Sequence, residues 1–182
     1  MRTLFFFLCL FVSMYSFGQA KHSYVTYNKL VELNGTDYVL ASVEDHHKMR
    51  VGSRHILFVN AKNGEHKQID FAKDEYITNI EQIILDSIGV NRVVVTIGKF
   101  NTDKDKDANW GDAKRLVVLS TDGKQMLTEE THFATGWILK KQTGTIVITG
   151  YEDSDKSGTH DKNDQPQVII YDLRKMTILA KI

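Results

Sequence analysis

"RVVVTIGKFNTDKDKDANWGDAKRLVVLSTDGK" at residues 92–124 and "TIVITGYEDSDKSGTHDKNDQPQVIIYDLRK" at residues 145–175 decide how this chain folds. Each begins with a β-branched run that stops at a glycine, passes through an acidic loop and resumes in a second apolar run. Short β-branched runs bounded by Gly, Asn and Asp are strand signals. Gly98 aligns with Gly150 and Leu116 with Val168, both pairs 52 residues apart, which predicts loops of equal length. A third version, "DYVLASVEDHHKMRVGSRHILFVNAKNG", runs from 37 to 64 with Ser42 in place of the glycine and a loop four residues shorter.

Working outward, each copy supplies four strand candidates. They are 26–33, 37–43, 54–61 and 65–71 in the first, 79–86, 91–98, 114–120 and 124–130 in the second, and 134–141, 145–151, 167–172 and 176–182 in the third. The expected fold is all-β: one domain over 21–182 with three tandem four-stranded antiparallel units, about 24–76, 77–132 and 133–182. Tight turns at "NGTD", "SIGVN" and "QTGT" join the first two strands, and Asn63–Gly64 and Asp122–Gly123 are hairpin signals between the last two. "NGT" at 34–36 is also a glycosylation triplet, read here as a turn. "DEYITNIEQIIL" at 74–85 offers Ile77, Ile80, Ile83 and Ile84 to one helical face, but its place in the repeat reads as a loop leading into a strand. Val93, Val95 and Ile97 are expected on one sheet face, Val94 and Thr96 on the other, with Ile146 and Ile148 matching Val94 and Thr96. Apolar residues on both faces imply sheets covered by neighbouring sheets.

Four-stranded units of this length in tandem resemble the blades of a β-propeller, although the signature dipeptides of WD and kelch blades are absent. Closed propellers use about four blades or more. Three units imply an array that stays open, completes a ring by self-association, or closes as a pseudo-threefold prism of three sheets. A β-sandwich with repetitive strands is the alternative.

Residues 1–20, "MRTLFFFLCLFVSMYSFGQA", have one basic residue, an apolar run from Leu4 to Phe17, and small residues at Gly18 and Ala20. That layout predicts a secretory signal peptide and a secreted or periplasmic protein. A membrane anchor is the competing reading; the run is short for a span and is interrupted by Ser13 and Ser16. Cys9, the sole cysteine, lies in this leader, so the exported chain has no disulfide to rely on. Loss of the leader leaves 22 basic against 23 acidic residues. Such a balance gives no excess charge for phosphates, so nucleic acid is not an expected partner, and no membrane span is expected after cleavage.

Catalytic patterns are missing. There is no nucleophile elbow, no H-E-x-x-H, no phosphate-cradling loop and no dinucleotide fingerprint, so no catalytic residue is assigned. The stretch "DSDKSGTHDKND" at 153–164 is different. Acidic residues on alternate positions around a glycine can wrap oxygen ligands about calcium. Asp153, Asp155, Ser157, Thr159, Asp161 and Asp164 are the candidate ligands, with Gly158 making the turn. Strand-like flanks exclude an EF-hand. The pattern resembles the D-x-D-x-D-G-x-x-D calcium loops of integrin-type propeller blades, with Ser157 where the third acid stands. The second loop offers a weaker set, Asp103, Asp105, Asp107, Asn109 and Asp112, without the central glycine. A solvated hairpin loop has the same composition. His46, His47 and His160, with Asp45 and Asp161, form a transition-metal alternative if the long loops share one face. Trp110, an aromatic in an acidic loop, is a candidate contact for a sugar or protein, or a cover for the sheet end. Trp137 is expected in the core.

These observations favour an exported, non-enzymatic binding domain presenting acidic loops, with calcium as the candidate stabilising ion and a protein or glycan as the ligand. A calcium-dependent hydrolase on the same scaffold and a structural subunit completing a larger ring by self-association are the alternatives.

Overall fold

A computed structural model describes residues 25–47, 50–99, 113–158 and 161–182. The leader, Trp110 and the whole 103–112 ligand set lie outside these residues, as do Thr159 and His160.

Twelve strands form three four-stranded antiparallel sheets, each in sequence order. The first holds β1 (Val25–Glu32), β2 (Tyr38–His47), β3 (Arg50–Asn60) and β4 (His66–Asp70). The second holds β5 (Glu75–Leu85), β6 (Val90–Lys99), β7 (Lys114–Ser120) and β8 (Met126–Thr128). The third holds β9 (His132–Lys140), β10 (Thr145–Glu152), β11 (Gln165–Asp172) and β12 (Thr177–Lys181). Three tandem four-stranded units are therefore the fold, compatible with a propeller-like arrangement. Three sheets also rule out the two-layer sandwich.

Three readings change. The strand expected over 79–86 begins earlier, as β5 runs from Glu75 to Leu85, so the lead-in is strand rather than loop. Its helix-like spacing comes from a bulge at Thr78: Ile77 pairs with Ile97 and Ile80 with Val95, so both isoleucines share one face despite being three residues apart. In the first copy, most of the expected long loop is ladder, because pairing continues through Asp45 with Gly52, His46 with Val51 and His47 with Arg50. Asp45, His46 and His47 thus belong to a strand.

The third change is one of register. Ser42 pairs with Ile56, Thr96 with Leu116 and Thr149 with Val168. Those three pairs are equivalent, so Gly150 corresponds to Ile97 and Val43, and Gly98 lies one step further along. Ile146 and Ile148 accordingly match Val93 and Val95. The cause is a loop one residue longer in the second copy, which the glycine alignment conceals. A bulge confirms the register: Thr78 Oγ1 donates to the Thr96 carbonyl at 3.0 Å, and Thr135 Oγ1 to the Thr149 carbonyl at 3.1 Å.

The sheets stack in chain order. Val93, Val95, Ile97, Val117 and Leu119 of the second sheet pack with Leu40, Ile56 and Phe58 of the first. Its opposite face, with Ile83, Val94, Leu116 and Val118, packs with Ile146, Ile148, Ile169 and Tyr171 of the third. The middle sheet is buried on both sides, as continuous β-branched runs require. Polar groups fasten the turn ends. Gln82 Nε2 and Asn91 Nδ2 donate to the Asn34 carbonyl at 2.9 and 3.0 Å, fixing the first hairpin to the second sheet. Arg92 Nε donates to the Leu173 carbonyl at 2.8 Å, fixing the second sheet to the third. No helix among the described residues is long and apolar enough to cross a membrane.

Candidate functional site

Up-and-down connectivity sorts the connections by end. The hairpin turns lie at one end. At the other, the ends of β6 and β7 and the β10–β11 loop adjoin the links between sheets, residues 71–74 and 129–131. At this loop end lies a cleft of about 350 Å³, reaching from Asp70 and Phe71 past Lys99 and Arg115 to His132 and Asp153.

An ion pair occupies its middle. Arg115 Nε and Nη2 donate to Glu75 Oε1 and Oε2 at 2.7 and 2.9 Å. Arg115 Nη1 also donates to Thr128 Oγ1 at 3.0 Å, and the Ala72 amide donates to Glu75 Oε2 at 3.0 Å. Burial alone raises the Glu75 pKa, but the Arg115 and Ala72 donors outweigh it and leave the carboxyl below its ordinary range. The guanidinium lies 5.9 Å from the Phe71 ring centroid. His132 is buried, and desolvation lowers its pKa, which favours the neutral imidazole. Its Nε2 lies 3.4 Å from the Gln167 carbonyl oxygen.

The β10–β11 loop forms one wall. Asp153, at its start, is buried; its Oδ1 accepts from the Ser157 amide and its Oδ2 from the Gly158 amide, both at 2.9 Å. Asp155 Oδ1 accepts from the same Ser157 amide at 3.0 Å. That donation, chief among several hydrogen bonds, lowers the Asp155 pKa. Asp164, at the end of the loop, is buried, and its Oδ2 accepts from the Asp161 amide at 2.9 Å. The loop thereby brings one carboxylate oxygen each of Asp153, Asp155 and Asp164 within 4.8 Å of one another, an arrangement that can hold one metal ion.

Of the other expected ligands, Ser157 meets Asp153 and Asp155 through its amide and Asp155 through its side chain as well. Asp161 Oδ1 accepts from the Asn163 amide at 2.8 Å, and Asp161 does not join the three-carboxylate group. An oxygen-only donor set suits a hard cation better than zinc or copper. Sequence reading did not identify Glu75, Arg115 or His132. They stand 40 and 17 residues apart, in no local motif: strand pairing on either side of β6 brings Glu75 to Arg115 within the second sheet, and stacking of the third sheet adds His132. No protein-family model matches the chain, and neither a curated protein nor a solved structure proves significantly similar to it.

Proposed function

We propose that this chain is an exported, non-enzymatic binding domain of propeller-like build. In this reading the β10–β11 loop takes up calcium and the loop-end cleft receives a glycan or protein ligand. The observation that carries it is the convergence of Asp153, Asp155 and Asp164 in the β10–β11 loop, whose Asp153 and Gly158 also line the cleft. A cation there would tie the start of the loop to its end and fix the wall that a ligand meets. Three carboxylates are few for a calcium site, so backbone carbonyls and water would complete six to eight oxygens, and affinity near the ~10⁻³ M of extracellular modules is expected. The Glu75–Arg115 pair and the Phe71 ring supply polar and apolar contacts beside it. In this reading the calcium's role is structural.

The test has two arms. Calcium titrated to about 10 mM should release or absorb heat and raise the melting temperature by mass action, and Asp155→Ala should remove most of that rise. No heat and no thermal shift would leave the loop a solvated turn. In the second arm, the chain is probed on arrays of glycans and extracellular proteins with calcium, beside a panel of phosphoester and glycoside substrates. Capture that weakens in Asp155→Ala supports the binding reading. Substrate turnover that disappears in the same variant overturns it in favour of a hydrolase.

A further inference from the structure

We propose that two copies of this chain associate head to tail, the third sheet of each against the first sheet of the other, to close a ring of six sheets. The argument rests on the equivalences among the three copies. At both internal junctions the same two kinds of face meet. The receiving face of the second sheet carries Val93, Val95, Val117 and Leu119, each 0% exposed. Its counterpart on the third sheet carries Ile146, Ile148, Ile169 and Tyr171, none more than 1% exposed. Strand pairing makes Val39, Ala41, Leu57 and Val59 the same positions on the first sheet. They form an apolar face of the same kind, with no sheet before it among the described residues. Leu30 shows the consequence. Its counterparts Ile80 and Trp137 pack into the two inter-sheet cores, whereas Leu30 is 72% exposed.

The outer face of the third sheet is the complementary case. On the first sheet, Val31, Leu40, Ile56, Phe58 and Ile69 face the sheet that follows and lie in or against the core. Their equivalents on the third sheet are Ile138, Val147, Val168, Ile170 and Ile182. No sheet among the described residues covers that face, and Ile138 and Ile182 are 61% and 76% exposed. The described residues therefore present one uncovered face of each kind, and the matching between the two kinds is already realised twice among them. A heterologous contact of this sort either closes into a ring or runs on as a fibre. Known closed propellers have about four to eight blades. One chain falls short of that range and three chains exceed it, so two chains fit. The two-fold then runs along the ring axis and sets both loop-end clefts on the same side.

Sedimentation equilibrium or light scattering on the leader-free chain tests the proposal. The expected mass is twice that of one chain, shared by all species down to the dilution at which monomer appears. Leu30→Glu and Ile138→Glu each place a charge on one of the two faces, at positions exposed in the single chain, and each alone should yield monomer with unchanged β-sheet circular dichroism. A dimer that survives Ile138→Glu would mean that first sheets pair with first sheets, and one that survives Leu30→Glu that third sheets pair with third sheets; either overturns head-to-tail closure. The unmodified chain needs no variant to decide. A strict monomer throughout, as expected if another protein or residues 21–24 cover these faces, overturns it, and so does a mass of three chains or more.

Discussion

Two glycines that look alike in sequence do different work. A Cβ on Gly150 would stand 1.9 Å from the Phe133 carbonyl oxygen and 2.8 Å from His132 Cε1. The backbone of the bulged β9 blocks it and cannot rotate away. A Cβ on Gly98 would meet the Tyr76 ring at 2.5 Å, a side chain rather than backbone. Gly150→Ala should therefore cost about 3 kcal/mol and Gly98→Ala about 1 kcal/mol, read as a lower denaturant midpoint at unchanged slope. Equal losses would mean that both glycines are only strand terminators. Glu75 provides a second test. Its folded pKa lies below the ordinary 4.5, so its contribution is complete above that value and fades as pH falls through the folded pKa. Glu75→Ala leaves Arg115 without its carboxylate and should cost about 3 kcal/mol at pH 7. The gap between variant and parent in urea midpoints should narrow in acid below pH 4.5. A gap that is flat or widens in acid would contradict the ion-pair account.

At the scale of the element, the bulge in the first strand of each sheet is the repeated device. Register shifts occur at residues 28, 78 and 135, opposite the end of the second strand each time. A bulge bends and twists its strand, and here it does so where the ladder approaches the loop end. In two copies the bulged residue is a threonine whose hydroxyl closes the gap in the ladder. Thr78→Val and Thr135→Val should each cost about 1 kcal/mol, and because the residues lie in different sheets the double variant should cost the sum. A strongly non-additive result would show that the sheets do not bend independently. The strand candidates were legible because β-branched runs and Asn-Gly and Asp-Gly turns act locally. β5 was only partly so: one extra residue converts a period of two into a spacing that imitates a helix, and nothing in "DEYITNIEQIIL" itself reveals that the partner strand skips a residue.

Across the whole molecule, burial is greatest in the middle sheet. Val117 of β7 is 0% exposed between the two neighbouring sheets, whereas its equivalent Leu57 on the first sheet is half-buried. Val117→Ala should cost about 2 kcal/mol by cavity formation, and Leu57→Ala under about 1 kcal/mol when measured on monomer. On the closed ring, Leu57→Ala should instead weaken association, visible as more monomer at a given dilution. Amide exchange should be slowest in β6 and β7, which have a paired strand on each side and a packed sheet on each face.

The sequence by itself determined the all-β class, the three copies, the strand order and the hairpin turns, because alternation and turn chemistry are encoded within a few residues. It also marked 153–164 as an oxygen-rich loop, and three of the aspartates singled out there do converge. Tertiary structure alone decided the rest. Register depends on which residue of one strand faces which residue of another, and a loop longer by one residue moves it without changing the local pattern. The Glu75–Arg115 pair forms only when β5 and β7 line up on either side of β6, and the buried His132 joins its cleft only when the third sheet stacks on the second. Which carboxylates gather was likewise set by the path of the loop, where Asp161 turns its oxygen to the Asn163 amide while Asp164, three residues on, closes against Asp153.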